Sequence, residues 1–122
     1  MLGNVSNVTA VSMIDPASCA NTAAATSGWI DVRAAKGPIL IIQQSGAITG
    51  TLDGKLQHAT SSGGAGAADI TGAVFTQVDA ANKVETLNFV ATTGPYIKYI
   101  GTVGTGPVVL GVTCIYSSGQ AG

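Results

Sequence analysis

Charge is what this sequence has least of. Five Lys and Arg and six Asp and Glu make 9% of the 122 residues, for a formal net charge of −1. An average soluble domain carries roughly 25%. The bases never cluster; Arg33 and Lys36 are the nearest pair. A surface that tracks a phosphate backbone needs several grouped cations, so nucleic acid is excluded as a partner. Histidine occurs once, and the two cysteines, Cys19 and Cys114, form no Cys-x-x-Cys pair. That excludes a zinc site and leaves no metal or other cofactor to expect. In a reducing cytosol the two cysteines are expected as free, buried thiols rather than a disulfide tying the N-terminal segment to the last strand. No apolar run approaches the ~20 residues of a membrane-spanning helix, which argues against a membrane. The first residues carry no basic stretch of the kind that opens a secretory signal. The expectation is a chain that acts where it is made or leaves the cell within an assembly.

Against these shortages stands 46% hydrophobic content, much of it small or β-branched. The length suits one domain. With so few charges, the exterior is expected to be hidden against copies of the chain or another partner.

The chain is organised around Thr49 to Val78. Thr51, Asp53, Lys55 and Gln57 alternate with Leu52, Gly54, Leu56 and His58. That is the period of a strand with one wet and one buried face. A Ser/Gly/Ala loop follows, flexible by composition around Ser62–Gly66. Asp69 to Phe75 returns as a second strand. The glycine-rich tip lacks the helix and lysine that a phosphate cradle needs.

Elsewhere the alternation repeats. Residues 4–14 read as a first strand, with Thr9, Val11 and Met13 opposite Val8, Ala10 and Ser12, ended by Asp15-Pro16. Residues 17–28 read as a loop or as part of an arm lying on a neighbouring subunit. Trp29 to Arg33 alternates Ile30 and Val32 against Trp29, Asp31 and Arg33. Ile39-Leu40-Ile41-Ile42 is a continuous apolar run, expected in a strand covered on both faces and ended by Gln43 to Gly46. Later strands fall at Val84–Ala91, Tyr96–Val103 and Val108–Tyr116. About eight strands, with turns roughly every ten residues and no helix, predict an all-β antiparallel sandwich. The expected division is an N-terminal strand or extended arm over 1–28, a β-sandwich domain over 29–116, and a loose tail over 117–122.

Chemistry-bearing residues are scattered. His58 lies on the apolar side of its strand and reads as structural; Ser61, Ser62 and Asp69 are near it only in sequence. The acids show no spacing for general acid/base work or a calcium loop. Trp29 with Tyr96, Tyr99 and Tyr116 could make a sugar platform, although Tyr96 and Tyr99 point to opposite faces of a regular strand. No enzymatic site emerges. The residues singled out for subunit contact are Val5, Val8, Val11, Met13 and Trp29.

Leu52–His58, Asp69–Val78, the Ala80–Asn82 turn and Tyr96–Tyr99 together resemble a group of small tailed-phage structural proteins encoded near capsid genes. Lys98 stands where that group usually has Arg. The resemblance covers about half the chain and implies a capsid cement (decoration) protein with a jelly-roll-like sandwich. Such a protein sits as a dimer or trimer on the outer surface of the virion head, touches the major capsid protein, bridges its neighbouring subunits and stabilises the shell. The alternative is a tail or fibre sandwich module that binds host glycans through Trp29 and the tyrosines.

Overall fold

A computed structural model of the chain describes residues 8–19, 24–35, 37–89, 94–105 and 107–117. Among them there are nine strands and no helix: β1 (Val8–Cys19), β2 (Ala24–Thr26), β3 (Ile30–Asp31), β4 (Ile39–Ile48), β5 (Leu52–Ala59), β6 (Ala68–Val74), β7 (Val84–Phe89), β8 (Tyr96–Val103) and β9 (Val108–Ser117). They form two antiparallel sheets, one ordered β1-β9-β4-β7 and the other β2-β8-β5-β6, with β3 also on β8. The expected all-β sandwich is present. The pairs nest: β5 with β6, β4 with β7, β2 and β3 with β8, β1 with β9, alternating between sheets. A long hairpin rolled on itself gives this order, and β4–β9 and β5–β8 close the roll. That is jelly-roll connectivity.

The central strands each bury one side. Ile39 and Ile41 of β4 meet Val108, Leu110, Val112 and Cys114 of β9 on one inner face. Leu52 and Leu56 of β5 meet Ile97, Tyr99 and Val103 of β8 on the other. Each large aliphatic side chain so buried contributes about 1.5–3 kcal/mol. The Phe75 ring fills the space beside Tyr99, edge to face at 6.1 Å.

Three sequence expectations are corrected. Asp15-Pro16 does not end the first strand. β1 continues to Cys19 along β9, with register shifts between Ser12 and Ile14 and between Ile14 and Ala17. Bulges and a proline are tolerated because β1 is an edge strand, where they also blunt pairing with other chains. Second, the described part of the expected arm belongs to the sandwich: β1 borders one sheet, and Ala24–Thr26 pairs with β8 in the other. Third, β4 does not stop at Gln43. It runs to Ile48, with Gln43 and Ser45 buried on the inner side, while Leu40 and Ile42 are only half-buried on the outer side. The strand read as covered on both faces is covered by this chain on one.

The cysteines are free. Cys19 pairs with Val108 and Cys114 with Val11. They are thus separated by six positions along β9, roughly 20 Å.

Candidate functional site

The two outer faces differ in character. On the five-stranded sheet, β8 turns Tyr96, Lys98 and Ile100 outward, and β5 turns out Asp53, Lys55 and Gln57. Asp31 and Asp69 join from the neighbouring strands. Charge of both signs is spread across this face, and most of it is spent internally. Arg33 forks onto Asp31, with Nε–Oδ1 3.0 Å and Nη2–Oδ2 2.6 Å. The same guanidinium lies 5.6 Å from the centre of the Tyr96 ring. Gln57 Nε2 and Lys55 Nζ both donate to Asp69, at 2.8 and 3.2 Å. Gln77 Nε2 reaches Asp53 at 3.0 Å. Hydrogen bonds from Arg33 hold the Asp31 carboxyl below its ordinary pKa, and those from Gln57 and then Lys55 do so for Asp69. Asp31, Asp53, Asp69, Arg33 and Gln77 are exposed and Lys55, Gln57 and Tyr96 are half-buried at the surface, so such pairs contribute little to stability.

Trp29 lies on this face, with Lys98 Nζ 5.1 Å from the centre of its ring. Gly64, at the tip of the Ser/Gly/Ala loop, also approaches it. A Cβ built there would stand 2.9 Å from Trp29 Nε1, and the backbone has φ +89. Glycine is the residue that suits both the close approach and the positive φ. The loop expected to be flexible is hydrogen-bonded within itself: Thr60 N and Oγ1 both donate to Ala65 O at 3.0 Å, and Gly64 N donates to Ser61 O at 3.0 Å.

On the four-stranded sheet, the outward positions are Val8, Ala10 and Ser12 of β1, Val109, Gly111, Thr113 and Ile115 of β9, Leu40, Ile42 and Gln44 of β4, and Val84, Thr86 and Asn88 of β7. None is charged. Asp15, in the β1 bulge, and Lys83, in the turn before β7, stand at its borders. Val8, Val84 and Val109 are among the most exposed large apolar side chains, at 48%, 61% and 39%. At one end the face dips into a cavity of about 310 Å³ lined by Pro16, Gln44, Gly46, Asn82, Val84, Val109 and Gly111. The floor is low because Gly46 and Gly111 bring no side chain to it.

The residues singled out in sequence separate. Val8 faces outward on the uncharged face. Val11 and Met13 point inward, Met13 at 7% exposure within the core, so both serve packing inside the chain. Val5 lies outside the described residues. Trp29 is on the opposite, charged face. The tyrosines do not converge with it into one platform: Tyr96 shares its face, while Tyr99 and Tyr116 are buried. His58 is half-buried at the end of β5, where Gly94 packs against its ring. Asp69 pairs with Gln57, one position earlier on β5, and so points to the other side of the sheet from His58. Among the described residues no group of three or more His, Cys, Asp or Glu could hold a metal ion, and no helix could cross a membrane.

Sequence reasoning missed the uncharged face. Its signal was the apolar run Ile39–Ile42 together with Val108-Val109-Leu110, both readable as two-sided. No family model matches the chain, and no curated protein matches it.

Proposed function

We propose that this chain is a capsid cement protein of a tailed phage. It binds the outside of the head, bridges neighbouring major-capsid subunits and stabilises the shell. The observation that carries the reading is the segregation of charge: among the described residues one broad sheet face has none, and the opposite face holds Asp31, Arg33, Asp53, Lys55, Asp69 and Lys98. A clamp must engage more than one neighbour at once, whether a capsid subunit or another copy of itself, and two unlike faces on a rigid body suit that task. Once one contact is made, the second becomes intramolecular, so two weak contacts hold far better than either alone. Because such binding favours the assembled shell, it raises the shell's resistance to rupture. The jelly-roll order and the resemblance over Leu52–Tyr99 point the same way.

A glycan-binding tail module has less support. Trp29 and Tyr96 each already have a cation over the ring, and Tyr99 and Tyr116 are inside. A hydrolase built on His58 has least, since Asp69 faces away from it.

Antibodies raised against the purified chain, applied to intact particles of the phage that encodes it, test the reading. Dense gold label over the head is expected. Label confined to the tail, or none on the virion, overturns it.

A further inference from the structure

The outer face of the four-stranded sheet poses a physical question. Ile39–Ile42 has the continuous apolar composition of a strand buried on both sides, yet Leu40 and Ile42 are left half-exposed, beside Ile115 of β9. Val8, Val84 and Val109 add apolar surface around them. We infer that this face is covered by the same face of a second copy of the chain, the two sheets packing about a two-fold axis. This builds on the reading of the chain as a surface-fitting protein and names the partner of one of its two faces.

Three observations select a second copy. The first is charge: an uncharged face gains nothing from a charged surface and leaves that surface's ions desolvated, whereas its own copy is uncharged by construction. Asp15 and Lys83 lie at the borders, which gives the apolar centre and polar rim of a specific interface. The second is shape. The cavity floored by Gly46 and Gly111 lies at one end of the face, and Leu40 and Ile115 stand at the other. A two-fold axis near Ile42 and Thr113, a registered pair between them, lays each copy's cavity over the other's Leu40–Ile115 end. That satisfies the self-complementarity of an isologous contact. The third is area. Four strands at about 4.8 Å spacing and about eight residues long span roughly 500 Å² in projection. Upright side chains increase the accessible area, bringing it near the lower end of a specific interface, about 600 Å² per partner.

Sedimentation of the full chain across micromolar concentrations tests this. The wild type is expected to sediment as a dimer. Thr113→Lys sets two like charges facing each other near the axis and is expected to weaken dimerisation on the order of tenfold or more. Val109→Lys, farther from the axis, weakens it less. Thr102→Lys, on the opposite outer face, leaves it unchanged. Thr113→Cys, a small change that keeps the fold, is expected to cross-link into a covalent dimer under mild oxidation, while wild type and Thr102→Cys do not. A wild type that stays monomeric, or a Thr113→Cys chain that fails to cross-link, overturns the inference. If wild type is monomeric and Thr113→Lys loses binding to phage heads, the face meets the shell: the inference falls and the cement reading stands. If the dimer forms through this face and no head is bound, the inference stands and the cement reading falls.

Discussion

The Tyr99 hydroxyl donates a 2.6 Å hydrogen bond to Gln43 Oε1, and this bond ties the two sheets together through the middle of the core. Tyr99 belongs to β8 and Gln43 to β4, and both are fully buried. Gln43 is also the cross-strand partner of Glu85, and Gln43 Nε2 and Glu85 Oε1 are buried without a hydrogen-bond partner among the described residues. The polar link is therefore partly satisfied. Tyr99→Phe removes the one bond that Gln43 Oε1 makes among the described residues and is expected to cost about 1–3 kcal/mol. Adding Gln43→Leu in the same chain removes the stranded amide as well, and part of the loss is expected to return. Urea unfolding of the single and double variants measures both. A double variant no more stable than Tyr99→Phe alone contradicts this account.

Room for Tyr99 is made by a pair of glycines facing each other on β5 and β8, Gly54 and Gly101. A Cβ on Gly54 would stand 2.6 Å from Tyr99 Oη, and one on Gly101 would stand 2.9 Å from it. Gly54→Ala is expected to destabilise by about 1–3 kcal/mol through overpacking. Gly28→Ala, with nothing within 4 Å of its would-be Cβ, should fall within about 0.5 kcal/mol of wild type. Equal midpoints for the two variants in a thermal melt would remove the steric argument.

How much of this was legible from sequence depends on whether a feature is local. The alternation in Trp29–Arg33 separates the inward Ile30 and Val32 from the outward Trp29, Asp31 and Arg33, because period two is a property of each strand alone. Gln43 reads in sequence as the end of a strand, since its justification is a hydroxyl 56 positions away. Asp15-Pro16 reads as a break because local rules assume a regular ladder, and only the edge position of β1 permits the bulges. Charge segregation was hidden for the same reason. Which outward residues share a face depends on sheet order, and β1 reaches β9 across almost the whole chain.

Alkaline pH should weaken the fold. Burial pushes the Cys114 thiol up to about 11 and raises the Tyr99 phenol further. In the unfolded chain these groups ionise near their ordinary values, about 8.5–9 and 10. Between the unfolded and folded values the unfolded state has lost a proton that the native state keeps, so stability falls as pH rises. The contribution is complete below about pH 9, and the Cys114 share is lost through about pH 11, worth roughly 2–3 kcal/mol. Denaturation midpoints at rising pH should therefore decline from about pH 9 in wild type and less steeply in Cys114→Ala, where the Cys19 thiol, also raised by burial, remains. An equally steep decline in both chains would show that the Cys114 thiol is not responsible.

Met13 separates a core strand from a docking arm most directly. If residues 1–28 were an arm reaching a neighbour, Met13→Ala would leave the stability of an isolated chain unchanged and weaken only assembly. The structure places Met13 in the β1 bulge, 7% exposed, packed within the core cluster. Truncation there removes buried methylenes and leaves a cavity under an edge strand. The expected cost is about 2–4 kcal/mol, toward the lower part of the range for buried Met because a bulged edge can partly collapse. The measurement is the guanidinium midpoint at one fixed, low protein concentration, so that association does not contribute. A loss under about 0.5 kcal/mol would return β1 to the role of an arm, and with it the idea that this segment, rather than the uncharged face, meets the next subunit.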